Sequence, residues 1–130
     1  MTHEGTACLT VLVVDDIEDS RFVLRRMLET QEFCVVEAAD GREALEIAGR
    51  ACPDLILMDL NMPGLDGLAA ASRIRGFKGR CESVPIVALT AYDTFGMREA
   101  AREAGCDEYL VKPLDFDHLN RVLRRVQAGW

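Results

Sequence analysis

Apolar positions along the chain fall into short runs that alternate with amphipathic stretches. Residues 11–14, Val-Leu-Val-Val, are mostly β-branched and predict a strand buried on both faces. Residues 21–29 place Leu24, Met27 and Leu28 on one helical face, with arginines elsewhere. Val35 and Val36 mark a second strand. Asp40 is positioned to cap a helix through Glu43, Ala44, Leu45, Ile47 and Ala48, and Pro53 stops it. Residues 55–58 predict a third strand. A loop bracketed by Gly64 and Gly67 follows, then a weak helix through Ala70 and Ile74 that Gly76 and Gly79 break. Residues 86–89, entered through Pro85, predict a fourth strand. Asp93 or Thr94 can cap the next helix, Gly96 softens its first turn, and Gly105 suits a left-handed position just past its end. Residues 109–111 predict a short fifth strand. Asp115 opens a last helix with Phe116, Leu119, Val122, Leu123 and Val126 on its apolar face.

Strand and helix thus alternate five times, which argues for a parallel sheet with helices on both faces. Such sheets bind ligands beyond the carboxyl ends of their strands. Asp15 and Asp16 end the first predicted strand, Asp59 the third, Thr90 the fourth and Lys112 the fifth. Singly, each has an ordinary reading: a turn, a cap or a solvated lysine. Jointly they predict a convergent cluster. Packed carboxylates repel unless a cation neutralises them, and Mg²⁺ takes one or two carboxylates plus water and phosphoryl oxygens. A carboxylate can attack phosphorus to give an acyl phosphate, a reaction that needs mainly positioning and charge neutralisation. Asp59 is the expected acceptor because the central strand delivers it among the other groups.

The chain has 130 residues, enough for one domain with a real core, and 49% are apolar, which excludes general disorder. The net charge of −7 disfavours a direct nucleic-acid surface. There are five cysteines, an odd number, with no Cys-x-x-Cys pair, so neither a disulfide framework nor a zinc site is expected. Cys34 reads as a small core hydrophobe, and unpaired thiols point to a reducing compartment. The first residues show no signal peptide, and the apolar runs are strand-sized, so no membrane insertion and a cytoplasmic location are expected. The loop over 76–83, with Lys78 and Arg80, and Arg124-Arg125 read as solvated. His3 and His118 do not look like ligands.

Four segments together resemble the receiver domain of bacterial two-component response regulators. They are Val11-Leu-Val-Val-Asp15-Asp16, Asp54-Leu-Ile-Leu-Met-Asp59-Leu-Asn-Met-Pro63-Gly-Leu-Asp-Gly67, Pro85-Ile-Val-Ala-Leu-Thr90-Ala91 and Gly105-Cys-Asp-Glu-Tyr109-Leu-Val-Lys112-Pro113. The resemblance implies a flavodoxin-like, doubly wound (βα)5 α/β fold with strand order 2-1-3-4-5. It covers a receiver domain over 9–128, after a flexible tail over 1–8. It implies that Asp16 and Asp59 bind Mg²⁺ (Mn²⁺ as the substitute), with the Asn61 backbone carbonyl, and that Asp15 acts through metal-bound water. Asp59 would take a phosphoryl group from a sensor histidine kinase or a histidine phosphotransfer protein. Thr90 and Lys112 would bind its oxygens, with Ala91 leaving room beside it. Thr90 and Tyr109 would switch together, Lys112-Pro113 would be a cis peptide, and Asn61 and Tyr92 would tune phosphate lifetime. The output protein would meet the 93–104 helix, the Tyr109 strand and the last helix. The state would be a monomer or a phosphorylation-linked dimer. The expected chain is a stand-alone receiver without independent enzymatic turnover. The alternatives are a receiver fragment of a longer regulator or hybrid kinase, an Mg²⁺-dependent aspartyl-phosphate hydrolase, which would want an acid at position 61, and a flavodoxin-like nucleotide binder, which would want a Gly-rich loop after the first strand.

Overall fold

The computed structural model describes residues 8–62, 67–91 and 94–130. The expectations at residues 1–7, at Pro63, Gly64, Tyr92 and at the Asp93 cap lie outside them. The described elements run β1 (Thr10–Val14), α1 (Glu18–Thr30), β2 (Cys34–Ala38), α2 (Gly41–Arg50), β3 (Leu55–Asp59), α3 (Gly67–Arg75), a 3₁₀ turn (Gly79–Glu82), β4 (Ile86–Thr90), α4 (Phe95–Glu103), β5 (Glu108–Val111) and α5 (Phe116–Gln127). The strands form one parallel sheet in the order β2-β1-β3-β4-β5, the doubly wound order that the resemblance implies.

Alternation along the central strands divides the core in two. Leu12, Val14, Ile56, Met58, Ile86 and Ala88 face one side, where Ala44 and Ala48 of α2 and Ala70, Ala71 and Ile74 of α3 cover them. Val11, Val13, Leu55, Leu57, Val87 and Leu89 face the other, under Leu24 and Leu28 of α1 and Leu119, Val122, Leu123 and Val126 of α5. Burying both faces of β1, β3 and β4 explains why these strands read as unbroken apolar runs.

Side chains start the helices where the polar pattern places them. The Asp40 carboxylate accepts from the Glu43 N–H at 2.8 Å, and the Glu43 carboxylate accepts from the Ala39 N–H at 2.7 Å. The Thr94 hydroxyl accepts from the Met97 N–H, and the Asp115 carboxylate from the Asp117 N–H. Helix α1 begins three residues before its predicted start, with Glu18 and Asp19 in its first turn, where acids suit the positive end of the helix dipole. Gly105 follows α4 at φ +101°, a left-handed position that glycine fills without strain.

Four expectations are overturned. Cys34 is exposed rather than core, because β2 is an edge strand. The thiols are not independent: Cys8 is joined to Cys34 and Cys52 to Cys81, leaving Cys106 free among the described residues. Chain segments distant in sequence meet here, which residue spacing cannot reveal. Phe116 is 43% exposed, because it sits at the first position of α5 before the helix reaches the sheet. The 76–83 segment is also more than a solvated loop, since the 3₁₀ turn inserts Cys81 into the core. No described helix is long and apolar enough to cross a membrane.

Helix α3 starts against the end of β3. A Cβ on Gly67 would lie 2.4 Å from the Asp59 carbonyl oxygen and 3.0 Å from the Leu60 Cα. Both neighbours are backbone and cannot rotate away. Gly67→Ala is therefore expected to destabilise the fold by about 1–3 kcal/mol, read as a lower urea midpoint. An unchanged midpoint would show that α3 can slide without cost.

Candidate functional site

Strand register assembles the site. Val14 pairs with Met58, so Asp15 and Asp59 leave adjacent strands at the same level. Asp59 pairs with Leu89 and Thr90 with Val111, which brings Thr90 and Lys112 to the same edge. The backbone continues this alignment: the Leu60 N–H donates to the Leu89 carbonyl, and the Lys112 N–H to the Thr90 carbonyl at 2.7 Å.

Carboxylate oxygens of Asp15, Asp16 and Asp59 all lie within 4.8 Å of one another. Asp15 and Asp59 are each 1% exposed, whereas Asp16 is exposed. The Lys112 ammonium stands 3.4 Å from Asp59 Oδ2 and 3.6 Å from Asp15 Oδ2. The Thr90 side chain is fully buried. The three acids and Lys112 therefore meet, and Thr90 ends β4 at the same edge. The peptide between Lys112 and Pro113 is cis.

Magnitudes show why this cluster needs a further positive charge. At an effective dielectric of ~20, each carboxylate pair repels by ~3 kcal/mol and each lysine contact attracts by ~4–5 kcal/mol. Three repulsive pairs and two attractive contacts nearly balance, which leaves the desolvation of two buried acids to be met by one backbone N–H each, from Ile17 and Asn61. Asp15 shows the deficit. Burial, ahead of every other influence, holds its carboxyl above the usual carboxylate range, opposed by the Ile17 N–H and by Lys112. Asp15 Oδ1 accepts from that N–H at 2.9 Å, while Oδ2 is buried with no hydrogen-bond partner. An orphaned carboxylate oxygen among three converging acids suits a hard divalent cation.

Asn61 carries an interaction that sequence reasoning missed. Its backbone carbonyl was the expected participant. Its side-chain oxygen is engaged as well, accepting from the Thr90 hydroxyl at 3.0 Å and the Ala91 N–H at 3.1 Å. The Asn61 N–H donates to Asp59 Oδ1 at 2.9 Å. One residue thus touches the central acid through its backbone and the β4 end through its side chain. The contact spans 29 residues, so only its position two beyond Asp59 hinted at it. Within β5, Tyr109 is half-buried and the Arg98 guanidinium lies 4.6 Å from its ring centre.

The family described as response regulator receiver domain matches residues 11–124. The chain belongs to that family. The receiver domain is 42% identical over 124 residues to the transcriptional regulatory protein PrrA of Mycobacterium tuberculosis, covering 95% of this chain and 51% of that protein. The chain spans about half the length of the curated response regulators it matches. Among solved structures it is similar to the chemotaxis protein CheY4 of Vibrio cholerae, with TM-score 0.86 and 33% identity, covering 92% of this chain and 99% of that one. It is also similar to the receiver domain of the sensor histidine kinase PA1611 of Pseudomonas aeruginosa, with TM-score 0.84 and 39% identity, covering 92% and 97%. That structure has a magnesium ion coordinated in its active-site cleft.

The raised Asp15 pKa has a thermodynamic consequence. Its ionised form is disfavoured in the fold, so the cost is present above the raised pKa and disappears as pH falls through it. Asp15→Asn keeps the Oδ1 acceptor and removes the charge. It is expected to stabilise the metal-free receiver domain by about 1–3 kcal/mol at neutral pH, seen as a higher thermal midpoint. The gain should shrink as pH falls through the raised pKa. A lower midpoint than the parent at neutral pH would show that Lys112 already compensates the acid.

Proposed function

We propose that the receiver domain is a phosphorylation switch in which Asp59 accepts a phosphoryl group from a partner's phosphohistidine. One observation carries this reading: three carboxylates converge around the end of the central strand, with an ammonium and a hydroxyl at the same edge. An Asp59 carboxylate oxygen attacks phosphorus, the N–P bond breaks, and the departing imidazole takes up a proton. Lys112, already 3.4 Å from Asp59, offsets the charge that gathers on the phosphoryl oxygens. Asp15, Asp16, Asp59 and the Asn61 backbone carbonyl are the groups suited to hold Mg²⁺, or Mn²⁺ in its place. When bound, the ion supplies positive charge that offsets the carboxylates and the transferred group.

Switching then follows from competition for donors. The Thr90 hydroxyl and the Ala91 N–H now serve the Asn61 side-chain oxygen. A phosphoryl oxygen on Asp59 is a stronger, charged acceptor for the same donors. Drawing Thr90 away biases the segment leading to α4 and the space beside Tyr109. The surface of α4, β5 and α5 is the proposed output face. It holds a cavity of about 450 Å³ lined by Phe95, Arg98, Arg102, Tyr109 and His118 among others.

A second surface suits the phosphodonor. Ile17, Phe22 and Val23 are exposed on and before α1. A groove of about 400 Å³ beside them runs past Asp15, Val23, Lys112, Leu114 and Phe116. An apolar helix face of a kinase or phosphotransfer protein fits this groove and would bring its histidine to Asp59. The hydrolase reading is weaker, because position 61 offers an amide whose oxygen is engaged by Thr90 and Ala91, and not a free carboxylate. Slow loss of the phosphoryl group without independent turnover is expected. The full regulator's activity and oligomeric state belong to the same proposal.

Acetyl phosphate supplies the test. The parent protein should take up about one phosphoryl group in the presence of Mg²⁺, and Asp59→Asn should reduce labelling by at least ~100-fold, measured by intact mass. Labelling that persists in Asp59→Asn would move the acceptor elsewhere. Asp16→Ala should raise the Mg²⁺ concentration needed for half-maximal labelling by ~10-fold or more; an unchanged titration removes Asp16 from the metal set.

A further inference from the structure

The acids gather at the carboxyl edge of the sheet, and the cysteines gather at the opposite edge. Cys8 precedes β1, Cys34 opens β2, Cys52 precedes β3, Cys81 precedes β4 and Cys106 precedes β5. Four of them form two pairs, Cys8 with Cys34 and Cys52 with Cys81, each with Cα atoms 5.8 Å apart. That separation is typical of residues a disulfide can bridge without moving the backbone.

The pairs are also reachable. Cys8 and Cys34 are exposed at the edge strand. Cys81 is buried, but it shares a surface cavity of about 530 Å³ with half-buried Cys52, Phe77 and Lys78. The cavity admits a small oxidant, and the Lys78 ammonium on its wall favours a thiolate. The Cys81 sulfur lies 3.8 Å from the Ala48 carbonyl, which can accept its proton in the reduced form. Cys106 differs: it has no cysteine partner, and burial pushes its thiol up to about 11.

We propose that this edge is a redox modification site separate from Asp59, at which Cys8–Cys34 and Cys52–Cys81 interconvert between dithiol and disulfide with a peroxide as oxidant. In each pair one thiolate attacks a peroxide oxygen and the O–O bond breaks. A sulfenic acid forms, and the departing oxygen takes up protons to leave as water. The partner thiolate attacks the sulfenic sulfur, the S–S bond forms, and the second oxygen leaves as water. Two electrons pass from the two sulfurs to hydrogen peroxide, which becomes two waters. An external dithiol reverses the change by exchange.

The Cys52–Cys81 bond ties the end of α2 to the 3₁₀ turn before β4 and encloses β3 and α3. Closing that segment restricts the unfolded chain and so steadies the elements that carry Asp59. A five-residue strand separates the two edges by about 13 Å, so oxidation leaves the phosphoacceptor chemistry in place.

The test uses the full chain, reduced, then treated with hydrogen peroxide, with free thiols alkylated before digestion. The expected mass change is the loss of one hydrogen from each of the four paired cysteines, reversed by dithiothreitol. Linked peptides should join Cys8 to Cys34 and Cys52 to Cys81, with Cys106 in neither linkage. The thermal midpoint should rise by roughly 5–10 °C on oxidation, and acetyl phosphate labelling should stay within about twofold. Cys52→Ser should lose its own linked peptide and keep the Cys8–Cys34 one. Mixed pairings, intermolecular dimers as the main product, sulfinic acids in place of disulfides, or a linkage that dithiothreitol does not reverse would each overturn the proposal. Because labelling at Asp59 is measured separately, failure of the redox site and failure of the phosphoacceptor reading give different results.

Discussion

Forcing like charges together at one sheet edge is the constraint on which the structure turns. Asp15 and Asp59 are carried to the same level by the pairing of Val14 with Met58, and neither can retreat because both are buried. Lys112 answers part of the repulsion from a third strand, two away from β3 in the sheet. The remainder persists as an Asp15 oxygen without a hydrogen bond and a raised Asp15 pKa. A core that served only stability would place an apolar pair here. This domain keeps an electrostatic deficit that a cation, as proposed, can relieve.

The other acids near strand ends make a useful contrast. The Asp54 carboxylate accepts from the Thr10 N–H at 2.7 Å. The Asp107 carboxylate accepts from the Ile86 N–H at 2.9 Å and pairs with the Arg75 guanidinium. Both lie at the amino-terminal edge, where exposed strand N–H groups welcome an acceptor. At the carboxyl edge the strands present carbonyls, so acids gathered there find fewer backbone donors. The same residue type is thereby a structural brace at one end of the sheet and a reactive cluster at the other. Arg75 strengthens the bracing end by donating to the Gly105 and Cys81 carbonyls as well.

Asn61 links the acid cluster to the part of the domain proposed to move. Its backbone N–H steadies Asp59, while its side chain occupies the donors of Thr90 and Ala91. Resting geometry and proposed output are therefore coupled through this residue. Among the exposed apolar groups, Ile17, Phe22 and Val23 lie on and before α1, and Phe95, 77% exposed, opens α4.

Much of this was legible before any coordinates. The unbroken apolar runs at 11–14, 55–58 and 86–89 required strands covered on both faces, and Asp40, Thr94 and Asp115 marked helix starts through local hydrogen bonds that depend on near neighbours alone. Parallel alternation then compelled Asp15, Asp16, Asp59, Thr90 and Lys112 to share an edge. Tertiary structure decided what local pattern could not: which thiols meet, that Cys34 faces solvent on an edge strand, that Phe116 stays outside, and that the Asn61 side chain also holds Thr90. Periodicity encodes which face a residue takes, because that depends on the backbone repeat. Partners separated by dozens of residues depend on how the layers pack, and only the folded chain holds that information.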